Sequence, residues 1–188
     1  MNKLLLAGLL AAATITAHAE VATYAIDPSH TFVTFEVTHS GTSTLRGRFD
    51  RKDGLITLDK AGKTGKAEVT IDATSASTGV ASLDGALKGK NLFNAAEFAS
   101  MKFSADKFTF SGDKVSEIAG TLTLLGKTQP VTLKATNFNC YMSPFVQREV
   151  CGGDFETTLV RSQYGMTYSQ NFISDNVHLL IQIEAIKQ

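Results

Sequence analysis

Residues Ser29–Phe49, SHTFVTFEVTHSGTSTLRGRF, decide the fold of this chain. Its first half alternates apolar and polar residues, and one parity comprises Val33, Phe35, Val37 and His39. Alternation with β-branched and aromatic side chains is typical of a half-buried strand. After the turn Ser40-Gly41-Thr42, a second alternation places Leu45, Gly47 and Phe49 on one face. The stretch therefore predicts a β-hairpin with one apolar face that ends in a histidine.

Strand signals recur at short intervals along the rest of the chain, separated by glycine-rich turns. This spacing predicts an all-β fold, either an antiparallel barrel or a sandwich. The chain has no tryptophan and its two cysteines are close together, so the immunoglobulin signal is absent. Roughly eight strands close into a barrel that side chains fill or that holds one slender ligand. We therefore expect an eight-stranded antiparallel barrel.

One segment interrupts the strands with a short helical insertion. Ser82 is predicted to cap a helix that carries Leu83 and Leu87 on one face and ends at Gly89, and Asn91 to cap a second. Two apolar-faced helices between strands form either a lid over one barrel end or a cover for an edge strand. The sequence leaves both readings open.

The N-terminus has the pattern of a cleaved secretory signal peptide. An apolar run from Leu4 to Ile15 follows Lys3, and the small-residue site Ala17-His18-Ala19 precedes Glu20. The run is too short to cross a bilayer, which needs about 20 residues. We expect residues 1–19 to be a signal peptide cleaved after Ala19, residues 20–188 to form one domain, and the product to be periplasmic without stable membrane insertion.

Charge and cysteine usage narrow the partners and the compartment. The chain has 18 basic and 18 acidic residues, and this balance argues against nucleic acid as a partner. Cys140 and Cys151 are expected to form a structural disulfide in an oxidising compartment, because no Cys-x-x-Cys spacing supports a redox pair. The loop between them is expected to fold onto apolar surface or form part of a cavity mouth, since five of its residues are apolar or aromatic: Tyr141, Met142, Pro144, Phe145 and Val146.

The chain carries no recognisable catalytic motif, so we expect a protein that is not an enzyme. His30 and His39 have opposite parity and cannot share a metal on one regular strand, although His178 can approach the first strand if the barrel closes. His39 is either a buried, hydrogen-bonded residue or a contact for a ligand head group. Arg161 is either a surface residue before a turn or a group that binds an anion or carbonyl.

Three blocks of sequence, which follow one another in the right order, resemble the YceI-like family of lipid- and polyisoprenoid-binding proteins, and the resemblance covers essentially the whole mature chain. The blocks are Tyr24-x-Ile26-Asp27-Pro28-Ser29-His30 through Phe49, Gly120-Thr121-Leu122-Thr123-Leu124 through Leu133, and Arg161-Ser162-x-Tyr164-Gly165-Met166. The resemblance implies a lipocalin-like barrel whose apolar tunnel holds a long isoprenoid chain, such as a prenylquinone tail. It implies export to the periplasm, no established catalytic step and no cofactor, with an isoprenoid lipid or quinone as a bound ligand.

We therefore expect a carrier or reservoir for a polyisoprenoid or other long-chain amphipathic lipid. The alternative is a structural or interaction protein whose barrel is filled by side chains and which binds a protein partner. The oligomeric state is left open, and a homodimer is compatible with the sequence. The predicted ligand-binding residues are Val33, Phe35, Val37, His39, Leu45, Phe49, Val69, Ile71, Phe103, Leu122, Leu124, Arg161 and Met166.

Overall fold

The computed structural model describes residues 21–188, in which eleven strand segments form one antiparallel sheet. The predicted signal peptide lies outside the described residues. The segments are β1 (Ala22–Ile26), β2 (Phe32–His39), β3 (Ser43–Phe49), β4 (Lys52–Asp59), β5 (Thr64–Asp72), β6 (Ala76–Ser77), β7 (Ser100–Ser111), β8 (Lys114–Leu124), β9 (Lys127–Ser143), β10 (Arg148–Val160) and β11 (Asn176–Lys187). A single α-helix, α1 (Ala81–Lys88), lies between β6 and β7 in this part of the chain, and short 3-10 helices span Ala73–Ser75 and Arg161–Tyr164.

The eleven segments make a closed barrel of eight strands, because three strands are interrupted. The first barrel strand consists of β1 and β2, and both segments pair with β11. The second consists of β3 and β4, and the third of β5 and β6. The pairing of β1 and β2 with β11 joins the first strand to the last, so the described strands leave no long sheet edge open. The predicted eight-stranded antiparallel barrel with a short helical insertion is confirmed.

The interruption between β1 and β2 is stabilised by side chains. Thr31 is buried, and its hydroxyl donates to the Glu184 carbonyl and accepts from the Glu184 amide, replacing missing ladder bonds to β11. Asp27 accepts hydrogen bonds from Ser29 and contacts His30 at 2.8 Å. Partial burial raises the pKa of Asp27, but the bonds from Ser29 and His30 outweigh it and lower that pKa to about 2. His30 thus belongs to a turn rather than to a strand.

The barrel has two distinct ends, which follow from the order of the antiparallel strands. The mouth end carries turns 40–42 and 125–126, α1, and the connection 161–175 between β10 and β11. The far end carries turns 60–63, 112–113 and 144–147. No helix within residues 21–188 has the length and apolar character needed to span a membrane.

The helical insertion differs from the prediction in two respects. Ser82 lies inside α1 instead of capping it, and the Asp84 carboxylate accepts from the amide and hydroxyl of Thr78 to hold the chain entering the helix. α1 ends before Gly89 as expected. The second helix does not form, because Asn94 adopts a left-handed conformation at φ 42° and breaks the segment into turns.

The predicted disulfide between Cys140 and Cys151 is present, and it joins directly paired residues of β9 and β10 with Cα atoms 4.1 Å apart. The cysteines therefore belong to a β-hairpin whose turn is only residues 144–147. The expectation that this loop folds onto apolar surface was wrong. Phe145 is 94% exposed, and the hairpin tip points away from the barrel interior because the paired strands run past the far end.

Candidate binding channel

The barrel encloses a cavity of about 530 Å³ instead of a filled core. Every one of the eight strands contributes inward-facing residues to its lining, since alternate side chains of a strand point to the same face. The parity is clearest on β11, where the lining residues are Val177, Leu179, Ile181, Ile183 and Ala185. A volume of this size is typical of a small-molecule binding site.

The cavity is long and narrow. The lined part of β11, from Val177 to Ala185, covers roughly 26 Å at about 3.3 Å per residue. Strand tilt reduces that length to roughly 20 Å along the barrel axis. Spreading the 530 Å³ over this length gives a mean cross-section on the order of 25 Å². We call this cavity the channel, and its shape suits one extended chain better than a compact ligand.

One end of the channel reaches the surface. Its exposed lining residues all lie at the mouth end within the described chain, and they are Thr44, Arg46, Val80, Leu83, Ala86 and Tyr168. The lining at the far end is buried or half-buried and includes Tyr24, Leu58, Phe108, Phe138 and Cys151. The channel is therefore entered at the mouth end, beside α1.

Twelve of the thirteen residues that the sequence singled out for ligand binding line the channel together: Val33, Phe35, Val37, Leu45, Phe49, Val69, Ile71, Phe103, Leu122, Leu124, Arg161 and Met166. His39 does not. It is exposed at the end of β2, paired with Ser43 and bridged to Ile173, beyond the last lining residue of its strand. Its inward parity was predicted, but β2 runs past the mouth before reaching it.

Arg161 lines the channel but its guanidinium is committed to the protein. It is 3% exposed, and it donates to the carbonyls of Ser174, Met166, Tyr168 and Ile173 at 2.8–3.0 Å. Burial lowers the pKa of Arg161, and the neighbouring Asp175 opposes that shift. The arginine thus organises the connection 161–175 that forms one side of the mouth. Its ligand contact remains a prediction.

Phe35, Phe49 and Phe93 form an aromatic cluster inside the barrel. Their ring centroids lie 5.3–6.3 Å apart, and the rings are tilted or edge-to-face. Aromatic pairs prefer edge-to-face over face-to-face contact. Gly47 is required beneath this cluster, because a Cβ there would lie 2.3 Å from the Phe35 ring. Phe93 comes from the segment after α1, so the cluster fastens that segment to the barrel. Of the two readings of the insertion, the structure supports the lid over one barrel end.

The sequence missed several channel residues. The alternation of β11 was recognised, but nothing in one sequence shows that this strand faces the same cavity as β2. Tyr164 was seen only as part of a motif. It lines the channel, its hydroxyl is buried without a hydrogen-bond partner among residues 21–188, and burial raises its pKa so that it stays protonated.

The described residues offer neither a metal centre nor an acid–base pair in the channel. Its lining there contains no histidine, aspartate, glutamate or lysine. The one close group of potential metal ligands in residues 21–188 is Cys140, Glu149 and Cys151, whose sulfur atoms are joined in the disulfide. His178 does approach the first strand, but it lies between Glu36 and Glu156 at 3.6 Å from each, one on either side of its ring.

Comparison with known proteins agrees with this architecture. Residues 24–185 match the YceI-like domain. The chain belongs to the YceI-like family. A YceI-like relative from Pseudomonas aeruginosa, named UPF0312 protein, is 33% identical over 192 residues and covers the full length of both chains.

Two solved structures share the YceI-like barrel. BcnA of Burkholderia cenocepacia superposes with a TM-score of 0.70 at 20% identity, over 85% of this chain and 99% of that one. A polyisoprenoid binding domain from Saccharophagus degradans, implicated in plant cell wall breakdown, superposes with a TM-score of 0.64 at 16% identity, over 90% of this chain and all of that one. At these identities the likeness establishes the fold.

Proposed function

We propose that this protein is a periplasmic carrier or reservoir that holds the tail of a polyisoprenoid, such as a prenylquinone, or of another long-chain amphipathic lipid. The observation that carries the proposal is the apolar channel of about 530 Å³ that opens at one end. Membership of the YceI-like family and the polyisoprenoid binding domain of the same fold support it.

The channel favours a tail over a polar ligand. Each methylene group buried there contributes about 0.8 kcal/mol. Most polar side chains of the lining are already engaged, as Thr31 bonds to Glu184, Thr78 to Asp84, and Arg161 to four carbonyls. The binding free energy therefore depends mainly on the length of the apolar tail, and the channel wall recognises head groups weakly.

The ligand is expected to enter tail first. Polar lining groups that face solvent lie at the mouth, where Thr44, Arg46 and Tyr168 are exposed. Arg46 bonds to Glu36 through Nε at 2.6 Å and leaves the rest of its guanidinium facing solvent. A tail that fills the channel thus leaves its head group beside these side chains.

Holding an apolar tail requires only an apolar wall, whereas catalysis would require acid–base groups. We therefore propose a binding protein instead of an enzyme. The alternative of a barrel filled by side chains conflicts with the open cavity. Export rests on the predicted signal peptide, and the disulfide between Cys140 and Cys151 supports an oxidising compartment.

A series of prenylquinones with one head group and increasing tail length tests this proposal. We expect the affinity to rise about fourfold for each buried methylene group, until the tail exceeds the channel and the dissociation constant levels off. Competition with a fluorescent fatty acid, or calorimetry in dilute detergent, measures it. A quinone without a tail is the control, and binding of that control as tight as binding of the longest tail would contradict the proposal.

A further inference from the structure

The channel mouth is surrounded by exposed apolar side chains. We call Val80, Leu83, Tyr168 and Phe172 the mouth rim. All four are exposed, and Phe172 and Tyr168 are 61% and 53% exposed. Val80, Leu83 and Tyr168 line the channel as well. Phe172 lies on the connection 161–175, as Tyr168 does. The Phe172 carbonyl accepts a hydrogen bond from the Ser40 amide in the β2–β3 turn. The rim therefore continues the channel wall outward to the surface.

The rim is held in place from both sides. Arg161 fixes the connection that carries Tyr168 and Phe172 through its four carbonyl contacts. Asp84 fixes the chain entering α1, which carries Val80 and Leu83, through its bonds to Thr78. Four large apolar side chains held around one opening form the kind of exposed patch that marks an interaction site.

The nature of the partner follows from the channel itself. A tail that leaves the channel into water exposes every methylene group at a cost that grows with its length. A tail that passes from the channel directly into the apolar layer of a bilayer pays no such cost. We propose that the mouth rim docks on the surface of a lipid bilayer and seals the mouth against water while a tail crosses. This inference rests on the proposed function.

The far end provides a contrasting apolar surface. The hairpin tip, comprising Tyr141, Met142, Phe145 and Val146, is at least as exposed as the mouth rim. None of its four residues lines the channel. Because a bilayer at the tip gives a tail no route into the barrel, the tip serves as the internal control for the orientation of docking.

Phe172→Glu, Leu83→Glu and Phe145→Glu test the orientation in the full-length mature protein. We expect Phe172→Glu and Leu83→Glu each to reduce cosedimentation with phosphatidylcholine vesicles at least about tenfold, because each removes one inserted apolar side chain. We expect Phe145→Glu to leave binding within about twofold of the unchanged protein. All three sites are exposed, so the thermal unfolding temperature is expected to be unaffected. If both rim variants lose vesicle binding, the loss is not explained by misfolding of a single variant.

Equal vesicle binding by the unchanged protein and both rim variants would overturn the inference. So would loss of binding in Phe145→Glu alone, or an unchanged protein that does not bind vesicles. Lipid content, measured separately by native mass spectrometry, distinguishes the two proposals. Phe172→Glu, whose site lies outside the channel lining, supports docking if it keeps bound lipid but loses vesicle binding. Vesicle binding by a protein that takes up no lipid refutes the carrier function on which docking rests.

Discussion

Replacing Ile181 with tryptophan is expected to abolish lipid binding while the barrel remains folded. Ile181 lies midway along β11, paired with Val33 on one side and Phe155 on the other, and it is half-buried because it faces the open channel. An indole in this position projects into the cavity and obstructs a passage about one chain wide. We expect stoichiometric binding of a prenylquinone to fall below detection.

The cost in stability should stay modest, because the larger ring extends into the channel and does not displace packed side chains. We expect the free energy of unfolding to fall by less than about 1.5 kcal/mol, as measured by urea denaturation. Phe35 would be a poor site for this test, since its ring already packs against Gly47, Phe49 and Phe93.

Leu180→Trp is the matched control, because Leu180 is the adjacent residue of the same strand and faces outward. We expect this variant to bind lipid as the unchanged protein does. Full binding by Ile181→Trp would show that the channel is not the binding site. Unfolding of Ile181→Trp would show that the interior behaves as a packed core.

Replacing Arg161 with methionine should have the largest effect on stability. The methionine fills similar volume but leaves the carbonyls of Met166, Tyr168, Ile173 and Ser174 without the donors that bind them now. Because buried acceptors without partners are costly, we expect a loss of roughly 3–5 kcal/mol in the free energy of unfolding. Amide hydrogen exchange in the connection 161–175 should become faster.

Arg161→Lys is expected to recover only part of that loss, because an ammonium group cannot reproduce the planar fork of a guanidinium. Arg148→Ala is the control. Arg148 is exposed and makes a long bond to the Lys187 carbonyl, so its removal should change stability by less than about 0.5 kcal/mol. Equal effects of Arg161→Met and Arg148→Ala would contradict the structural role of Arg161.

The sequence predicted the parts of the fold that depend on local alternation. The alternation of β2 and β3 is visible in residues 33–49, and it correctly grouped Val33, Phe35, Leu45 and Phe49 on one face, which is the face that lines the channel. The disulfide was predictable because the N-terminal pattern indicates a secretory signal peptide, and two cysteines in a secreted protein usually pair. Parity alone does not distinguish a barrel from a sandwich, and the prediction of a barrel rested on the strand count, the absent immunoglobulin signal and the resemblance to the YceI-like family.

Other features depend on depth and register, which alternation does not encode. His39 has the inward parity of its strand but lies beyond the mouth. The alternation of a strand does not show where the channel ends. A bulge at Asp106 shifts the alternation of β7, so that odd-numbered residues face the channel before it and Phe108 faces the channel after it. The role of Arg161 depends on a connection that folds back over it, and a motif of six residues does not reveal which carbonyls it will meet.

Native mass spectrometry tests the central claim most directly. The full chain is expressed in a Gram-negative host, purified from the periplasmic fraction without harsh detergent, and analysed together with an organic extract of the same sample. We predict the mass of residues 20–188 with one disulfide, carrying a single adduct that the extract identifies as a long-chain amphipathic lipid. Recovery of protein without an adduct, which also takes up no prenylquinone or fatty amide on incubation, would contradict the account.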